Sequence, residues 1–263
     1  RKSILEARLE SNEVFQPKIS EVRVDVQQIL YFGKLHINEI IRDFYEGLAK
    51  ALFSGELRQR QNGDALDIEP DLTYINRSRY IEVKATGHTR RIMLKDEQIG
   101  KYSTLQTSDY PIPNPRIYFT LFRYGLRGIQ KEFGDKPPEE VIEYLSRDTK
   151  FMVGLPFSII YHIHAQGFDG KLVTRTYGPH GTPCTNLSTR TLDSFFSDPE
   201  STIESFSLNP GDFEIKRRKL PENITISSYP LKPFPLVLIK NTDSSHKLWV
   251  NELRGKLKEG VPF

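Results

Sequence analysis

Two carboxylates and one lysine in the first half of the sequence have the types and spacing for metal-dependent chemistry. Asp71 is followed further along the chain by the segment Glu82-Val83-Lys84. Side chains alternate between the two faces of a strand, so Glu82 and Lys84 should point the same way while Val83 packs on the other side. If Asp71 lies on the neighbouring strand of a hairpin, it meets Glu82 across the ladder. The pattern therefore predicts two carboxylates and one ammonium together on one face.

Such a trio suits the hydrolysis of a phosphodiester bond. Two close carboxylates repel each other unless a divalent cation holds them, and Mg²⁺ takes oxygen ligands while keeping several waters. A water whose pKa is lowered by the metal can attack phosphorus. Lys84 could position that water, deprotonate it if its own pKa is lowered, or stabilise the extra negative charge on phosphorus. These three roles for Lys84 stay open.

The sequence around the trio predicts the hairpin that would hold it. Residues 66–75 and 79–85 are typical of two short strands, with a turn at Asn76-Arg77-Ser78. Pro70 indicates an edge strand or a bend, because proline has no N–H to donate to a ladder. Before the hairpin, apolar residues at three- and four-residue spacing predict an amphipathic helix over residues 33–53.

The rest of the sequence alternates helical and strand-like segments, which predicts an α/β fold with a mixed central β-sheet flanked by helices. We expect an N-terminal segment at 1–30, a core at 31–165 and a C-terminal elaboration of the same domain at 166–263. The further expected elements are helices over 94–105, 138–146 and 249–257, and strands over 117–122, within 151–164 (preceded or interrupted by Gly154 and Pro156) and over 236–240.

The segments Pro70-Asp71 and Glu82-Val83-Lys84 resemble the motif of the PD-(D/E)xK nuclease superfamily, and most of all its type II restriction endonucleases. The preceding helix, the hairpin, the following helix and the apolar strand come in the order of that family's core, over roughly residues 33–165. The resemblance says nothing specific about residues 166–263. It implies a restriction-endonuclease-like core in which Asp71, Glu82 and the Val83 backbone carbonyl ligate Mg²⁺, one or two ions per site, and Lys84 serves the attacking water.

The resemblance also implies supporting residues on the two helices. On the first helix it points to Glu39, with Glu46 two turns later, and on the second to Gln98 and Lys101. Glu39 could equally be a first-turn acid that complements the helix dipole, and Gln98 could simply face solvent.

Nearby acids leave the assignment of Asp71 open. Asp67, Glu69 and Asp71 are spaced by two and could share one face of the strand. Glu69 is therefore a further supporting candidate, whereas Asp64 and Asp67 are more simply solvated loop residues.

His162 and His164 are two apart on an expected strand. Zinc sites also use this spacing, but the sequence offers no third ligand there.

Basic residues near the motif are candidates for contacts with the DNA backbone. Arg77 and Arg79 belong to the hairpin, and Arg90 and Arg91 follow its second strand, so they could neutralise phosphates at the mouth of the site. His180, in a Gly-Pro-His-Gly loop, could also touch DNA. The densest basic run, Lys216-Arg217-Arg218-Lys219, could bind phosphates or be a solvated patch.

Composition sets the remaining bounds. The 37 Lys and Arg residues against 34 Asp and Glu give a net charge of +3, which permits a nucleic-acid partner without requiring one. Cys184 is the only cysteine, so no intrachain disulfide can form and a reducing compartment is expected. With no secretory signal or spanning run in the sequence, we expect a cytoplasmic protein without membrane contact.

The sequence thus predicts a Mg²⁺-dependent endonuclease that cleaves double-stranded DNA, most simply a sequence-specific type II restriction enzyme. A symmetric duplex site would favour a homodimer, and no organic cofactor is expected. Two alternatives stay open: a structure-specific repair or recombination nuclease, and a non-catalytic nucleic-acid-binding protein of the same fold.

Overall fold

The computed structural model describes most of the chain from residue 37 onward. The described residues are 37–53, 57–59, 70–74, 78–85, 91–109, 113–124, 133, 136–166, 173–177, 183–220, 224–226 and 229–260. The expected N-terminal segment 1–30 lies outside them.

The described strands form a central mixed sheet and two smaller sheets. The central sheet has seven strands in the order β1-β2-β3-β5-β6-β12-β9, and β4-β8-β7 and β10-β11 make up the others. In chain order the strands are β1 Leu57–Gln59, β2 Leu72–Tyr74, β3 Arg79–Ala85, β4 Arg91–Lys95, β5 Arg116–Tyr124, β6 Thr149–Pro156, β7 Val173–Tyr177, β8 Pro183–Ser188, β9 Phe213–Lys219, β10 Thr225–Ile226, β11 Tyr229–Pro230 and β12 Pro235–Asn241.

The central sheet mixes parallel and antiparallel pairs, and helices cover both of its faces. Strands β3 and β5 run parallel, β5 and β6 antiparallel, and β6 and β12 parallel again. The predicted α/β class with a mixed central sheet is therefore confirmed. The described helices are α1 Ile37–Leu52, α2 Asp96–Thr107, α3 Pro138–Asp148, α4 Phe157–Gln166, α5 Thr189–Ser197, α6 Pro199–Ser205 and α7 Asp243–Lys258.

Two apolar cores lie on opposite faces of this sheet. Helices α1 and α3 enclose one core, to which β3 contributes Ile81 and β12 contributes Leu238. Helices α2, α4, α5 and α7 enclose the other, to which β5 contributes Phe119. Strand alternation thus decides which helix layer each side chain meets. The C-terminal part of the chain supplies β9 and β12, so it completes the same sheet.

Several predicted elements match closely. Strand β3 spans the predicted residues 79–85, and α1 lies within the predicted helix 33–53. The first hairpin strand is shorter than expected in its described part, because pairing with β3 begins only after Pro70 and Asp71.

Two predictions need correction. The helix expected from residue 94 begins at Asp96, because Leu94 belongs to β4 and pairs with Thr185 of β8. The strand expected within 151–164 is present as β6, but it ends at Pro156, and the apolar stretch after it is helix α4. Its residues are buried on nearly every side, so its sequence shows no helical periodicity.

No helix in the described part of the chain combines the length and the apolar character needed to cross a membrane.

Gly154 marks a close approach between β6 and β12. A Cβ atom at this position would lie 2.4 Å from Cδ2 of Leu238, which is itself only 3% exposed. We expect Gly154→Ala to force Leu238 from its packing and to cost about 1–3 kcal/mol of unfolding free energy, measured by urea denaturation. Combining it with Leu238→Ala should cost less than the sum of the two single changes.

Gly255 in α7 provides the matched control, because a Cβ there meets nothing within 4 Å. Gly255→Ala should be neutral or should stabilise by roughly 0.5–1 kcal/mol through helix propensity. Equal effects of the two alanine substitutions would contradict the packing explanation.

Candidate active site

The β2–β3 hairpin brings Asp71 and Glu82 together as the sequence predicts. Leu72 pairs with Ile81 and Thr73 with Tyr80, so Asp71 enters the hairpin beside Glu82. The Asp71 carboxylate accepts a hydrogen bond from the Val83 backbone N–H at 2.7 Å. This bond fixes Asp71 against the strand that carries the other two predicted residues.

Glu82 is the most deeply buried of the three predicted catalytic side chains, with 1% of its surface exposed. Its Oε1 contacts the Lys84 ammonium and accepts a hydrogen bond from Gln98 Nε2 at 3.1 Å. The Tyr102 hydroxyl donates to its other oxygen, Oε2. Both carboxylate oxygens are thus held by donors, as a buried charge requires.

Strand alternation explains why these polar groups share one face. Ile81 and Val83 pack into the core beneath α1 and α3, whereas Glu82 and Lys84 project toward α2. The predicted common face of Glu82 and Lys84 is therefore present, with apolar neighbours on the reverse side of the strand.

Helix α2 supplies one expected and one unexpected partner. Gln98 and Tyr102 are four residues apart, so they share a face of the helix and both reach Glu82. The Tyr102 ring packs on that of Phe119, with 5.8 Å between the ring centroids. The sequence did not identify the Tyr102 hydroxyl as a donor to Glu82, although the spacing of four between Gln98 and Tyr102 was a usable signal.

Helix α1 turns Glu46 rather than Glu39 toward the site. Glu46 is 7% exposed, and its charge adds to the larger effect of the Glu82 charge in raising the pKa of both Asp71 and Lys84. Glu39 lies in the first turn of the helix, where it acts on Arg42. Of the two interpretations of Glu39, as a site residue or as a first-turn acid, the structure therefore favours the second.

The carboxyl group of Asp71 resists ionisation. Burial, followed by the nearby charge of Glu82, raises the pKa of Asp71 to about 8, while the Lys84 ammonium and the Val83 N–H oppose this shift. A second buried negative charge beside Glu82 is costly unless a cation compensates it.

Lys84 stays charged in this setting. Burial alone would lower the pKa of Lys84, but the Glu82 and Asp71 carboxylates outweigh it and the pKa is raised. Of the three roles left open for Lys84, deprotonation of water is therefore the least supported, and charge stabilisation or positioning is favoured.

The Val83 carbonyl lies on the same side of β3 as Asp71. The N–H and C=O of one strand residue point to the same side of the strand, so this carbonyl lies on the side of Asp71. Extending the hairpin register from Leu72–Ile81 would set Pro70 opposite Val83. Proline has no N–H to offer this carbonyl.

The oxygen atoms in reach fit a hard divalent cation. Asp71, Glu82 and the Val83 carbonyl offer the donor type that Mg²⁺ takes, and a bound cation would offset the burial and the Glu82 charge that raise the pKa of Asp71. A cluster of three or more His, Cys, Asp or Glu side chains that could hold a metal is not found among the described residues. The candidate ligand set is thus two carboxylates, a carbonyl and water.

Other predicted site residues lie elsewhere or outside the described residues. The Lys101 ammonium pairs with Glu97 at 2.6 Å on α2. Arg79 begins β3, five residues before Lys84, and Arg91 is exposed at the start of β4. Outside the described residues lie Asp64, Asp67, Glu69, Arg77, Arg90 and His180.

His162 and His164 do not share a face, because both lie on helix α4 and a spacing of two separates side chains on a helix. His164 Nδ1 hydrogen-bonds with the Thr185 hydroxyl at 3.0 Å, whereas the His162 ring lies 5.6 Å from that of Trp249. The strand-based pairing of these histidines was wrong.

Replacing Asp71 by Asn should stabilise the metal-free protein increasingly as pH rises. The folded Asp71 has a pKa of about 8 against 3.8 as the ordinary value, so the stability from its retained proton is complete below about pH 4 and is lost as pH rises through 8. Asn has no proton to lose, so the gain over the parent chain should grow across this range to at least about 1 kcal/mol.

Urea unfolding in EDTA at several pH values measures this difference. Asp109→Asn removes a carboxylate that is exposed and pairs with Arg254, and serves as the control. A gain from Asp71→Asn that does not change with pH would contradict the assigned pKa.

Compared with known proteins, the chain matches no family model, no curated protein and no solved structure. The function is therefore inferred from the residues of the site and their geometry.

Proposed function

We propose that the chain is a Mg²⁺-dependent endonuclease that hydrolyses phosphodiester bonds of DNA, with a core of the PD-(D/E)xK type. The observation that carries this proposal is the buried Glu82 carboxylate, which Lys84, Gln98 and Tyr102 hold beside Asp71. An ordinary surface ion pair would have no need of three donors from two elements.

The order of elements supports the same fold. Helix α1, the β2–β3 hairpin, helix α2 and strand β5 follow one another, with β5 parallel to β3 and antiparallel to β6. This sequence of elements agrees with the core that the motif implies.

The residues of the site divide the work of hydrolysis. Asp71, Glu82 and the Val83 carbonyl would hold the metal, which when bound lowers the pKa of a water that attacks phosphorus. Lys84 carries a full positive charge beside them and would stabilise the charge that builds up on the phosphate oxygens. Gln98 and Tyr102 fix the Glu82 carboxylate so that its oxygens keep one orientation.

Within this proposal, sequence-specific cleavage of duplex DNA by a homodimer, as in type II restriction enzymes, is the finer hypothesis. A digest of plasmid DNA with Mg²⁺ tests it: discrete bands indicate sequence-specific cleavage. Cutting of branched DNA alone would indicate a structure-specific nuclease instead. DNA binding without any cutting would support the non-catalytic alternative.

Lys84→Ala should abolish cleavage while leaving DNA binding largely intact. We expect a loss of at least about 100-fold in rate, because the ammonium acts on charge that develops in the transition state. Lys84→Met preserves the length of the side chain without its charge and should give the same result if the chain stays folded.

The control is Lys256→Ala, which removes an ammonium that also pairs with a glutamate, Glu252. Cleavage rates, with binding measured separately by gel shift in EDTA, decide the outcome. Unchanged cleavage in Lys84→Ala would refute the assigned site.

Tyr102→Phe tests the partner of Glu82 that the sequence did not reveal. Loss of the hydroxyl leaves Glu82 Oε2 without this donor while the ring can keep its contact with Phe119. We expect a loss of roughly 10–100-fold in metal affinity or activity, seen as a higher Mg²⁺ concentration for half-maximal cleavage. A Mg²⁺ dependence identical to that of the parent chain would show that Tyr102 is only a packing residue.

A further inference from the structure

The C-terminal helix α7 reaches the end of α2, the helix that carries Gln98 and Tyr102. The Arg254 guanidinium donates to the backbone carbonyl of Thr107, the last residue of α2, through Nε at 3.4 Å and through Nη2 at 3.2 Å. Its Nη2 also donates to the Asp109 carboxylate at 2.6 Å. One side chain of α7 thus holds the C-terminal end of α2 and the start of the loop that follows.

This contact supplies a charge that the last turn of α2 lacks. The last carbonyls of a helix have no partner within the helix, and a cation beside them is favourable because the helix dipole is negative there. The last turn of α2 contains no basic residue, whereas its first turn contains Asp96 and Glu97. Arg254 therefore provides the cation from another element, 147 positions after Thr107 in the chain.

Polar contacts matter for α2 because few aliphatic side chains fix it. Its buried aliphatic residues are Ile99 and Leu105, and the other side chains that it buries carry polar atoms. Gln106, in the last turn, donates through Nε2 to the Pro115 carbonyl at 2.8 Å. This bond and the one from Arg254 tie the last turn to two different parts of the chain.

The last turn of α2 supports the backbone at Tyr102. In an α-helix each N–H bonds to the carbonyl four residues earlier, which links Gln106 to Tyr102 and Tyr102 to Gln98. Fraying of the last turn would free the Tyr102 carbonyl and let the hydroxyl move away from Glu82 Oε2. N–H···O hydrogen bonds are typically no longer than about 3.2 Å. The 3.1 Å bond from Gln98 to Glu82 therefore tolerates little displacement of the helix.

Helix α7 is anchored in the same core as Tyr102. Trp249 and Leu253 of α7 are buried there. The ring centroid of Trp249 lies 6.5 Å from that of Phe157, which lies 6.2 Å from that of Tyr102. Arg254 directly follows Leu253, so its guanidinium extends from a part of α7 that packing already fixes.

We propose that Arg254 is a positioning residue of the candidate active site, which fixes the last turn of α2 and so holds Tyr102 and Gln98 on the Glu82 carboxylate. The consequence for cleavage rests on the proposed nuclease function. Residues 166–263, for which the motif implies no role, thus support the metal site through α2.

A double-mutant cycle in EDTA tests the positioning without metal or DNA. Tyr102→Phe removes the hydroxyl, Arg254→Ala removes the guanidinium, and urea denaturation gives the unfolding free energy of each chain. Arg254→Ala should cost less in the Tyr102→Phe chain than in the parent chain, because the contact with Glu82 is already lost there. The control is Arg147→Ala, which removes a guanidinium that pairs with Glu143 of α3, and its cost should simply add to that of Tyr102→Phe.

Cleavage assays test the consequence for the metal site. We expect Arg254→Ala to raise the Mg²⁺ concentration for half-maximal cleavage about 3–10-fold, with unchanged DNA affinity in EDTA, because it weakens the contacts of Glu82 without removing a partner. Arg254→Lys keeps a cation beside the last carbonyls of α2 and should restore most of the Mg²⁺ dependence of the parent chain. Asp109→Asn removes only an ion-pair partner that is 81% exposed, and should leave this dependence unchanged.

The outcomes distinguish this proposal from the nuclease proposal. Additive costs of Arg254→Ala and Tyr102→Phe would overturn the positioning role, even if cleavage depends on Lys84. An equal Mg²⁺ dependence of the Arg254→Ala and Arg147→Ala chains would overturn it as well. Conversely, non-additive costs in a chain whose cleavage does not depend on Lys84 would support the role of Arg254 and refute the assigned active site.

Discussion

The burial of the Glu82 carboxylate is the constraint on which the site depends. A charge with 1% exposure is costly by several kcal/mol unless donors surround it, and removing one partner leaves the charge uncompensated. Its donors come from its own strand, through Lys84, and from α2, through Gln98 and Tyr102. The position of α2 against β3 is therefore fixed by electrostatics as well as by packing.

The same alternation of side chains builds the core and the site. In β3, Ile81 packs beneath α1 while Glu82, one residue later, faces α2. A slip of one residue in the β2–β3 register would bury Lys84 among apolar groups and carry Ile81 to the polar side. The two hairpin pairs between Leu72–Thr73 and Tyr80–Ile81, with the bond from Val83 to Asp71, prevent this slip. The geometry of the candidate site and the stability of the fold are thus specified by one pattern.

Sequence patterns predicted the elements that depend on residues close together in the chain. The residues of β3 and the apolar stripe of α1 follow from spacing alone, and Gln98 followed from the motif. The start of α2 did not follow from local spacing, because Leu94 pairs with Thr185 of β8, a strand some ninety positions away in the chain. Helix α4 was missed because Ile159, Ile160 and Ile163 are all fully buried, which erases the amphipathic signal. The role of the Tyr102 hydroxyl was missed although its spacing of four from Gln98 was a usable signal, because the hydrogen bond to Glu82 depends on how α2 packs on β3.

The small net charge of +3 conceals two opposite electrostatic demands in the central sheet. Beside Glu82, burial and the charge of Glu82 raise the pKa of Asp71 to about 8. On β12, burial and the charges of Lys216, Arg79 and Arg116 lower the pKa of Lys240 to about 8. The total charge of the chain describes neither place, because a further negative charge is costly at the first and a further positive charge is costly at the second. Under the proposed function, a divalent metal held by Asp71 and Glu82 would relieve the first of these costs.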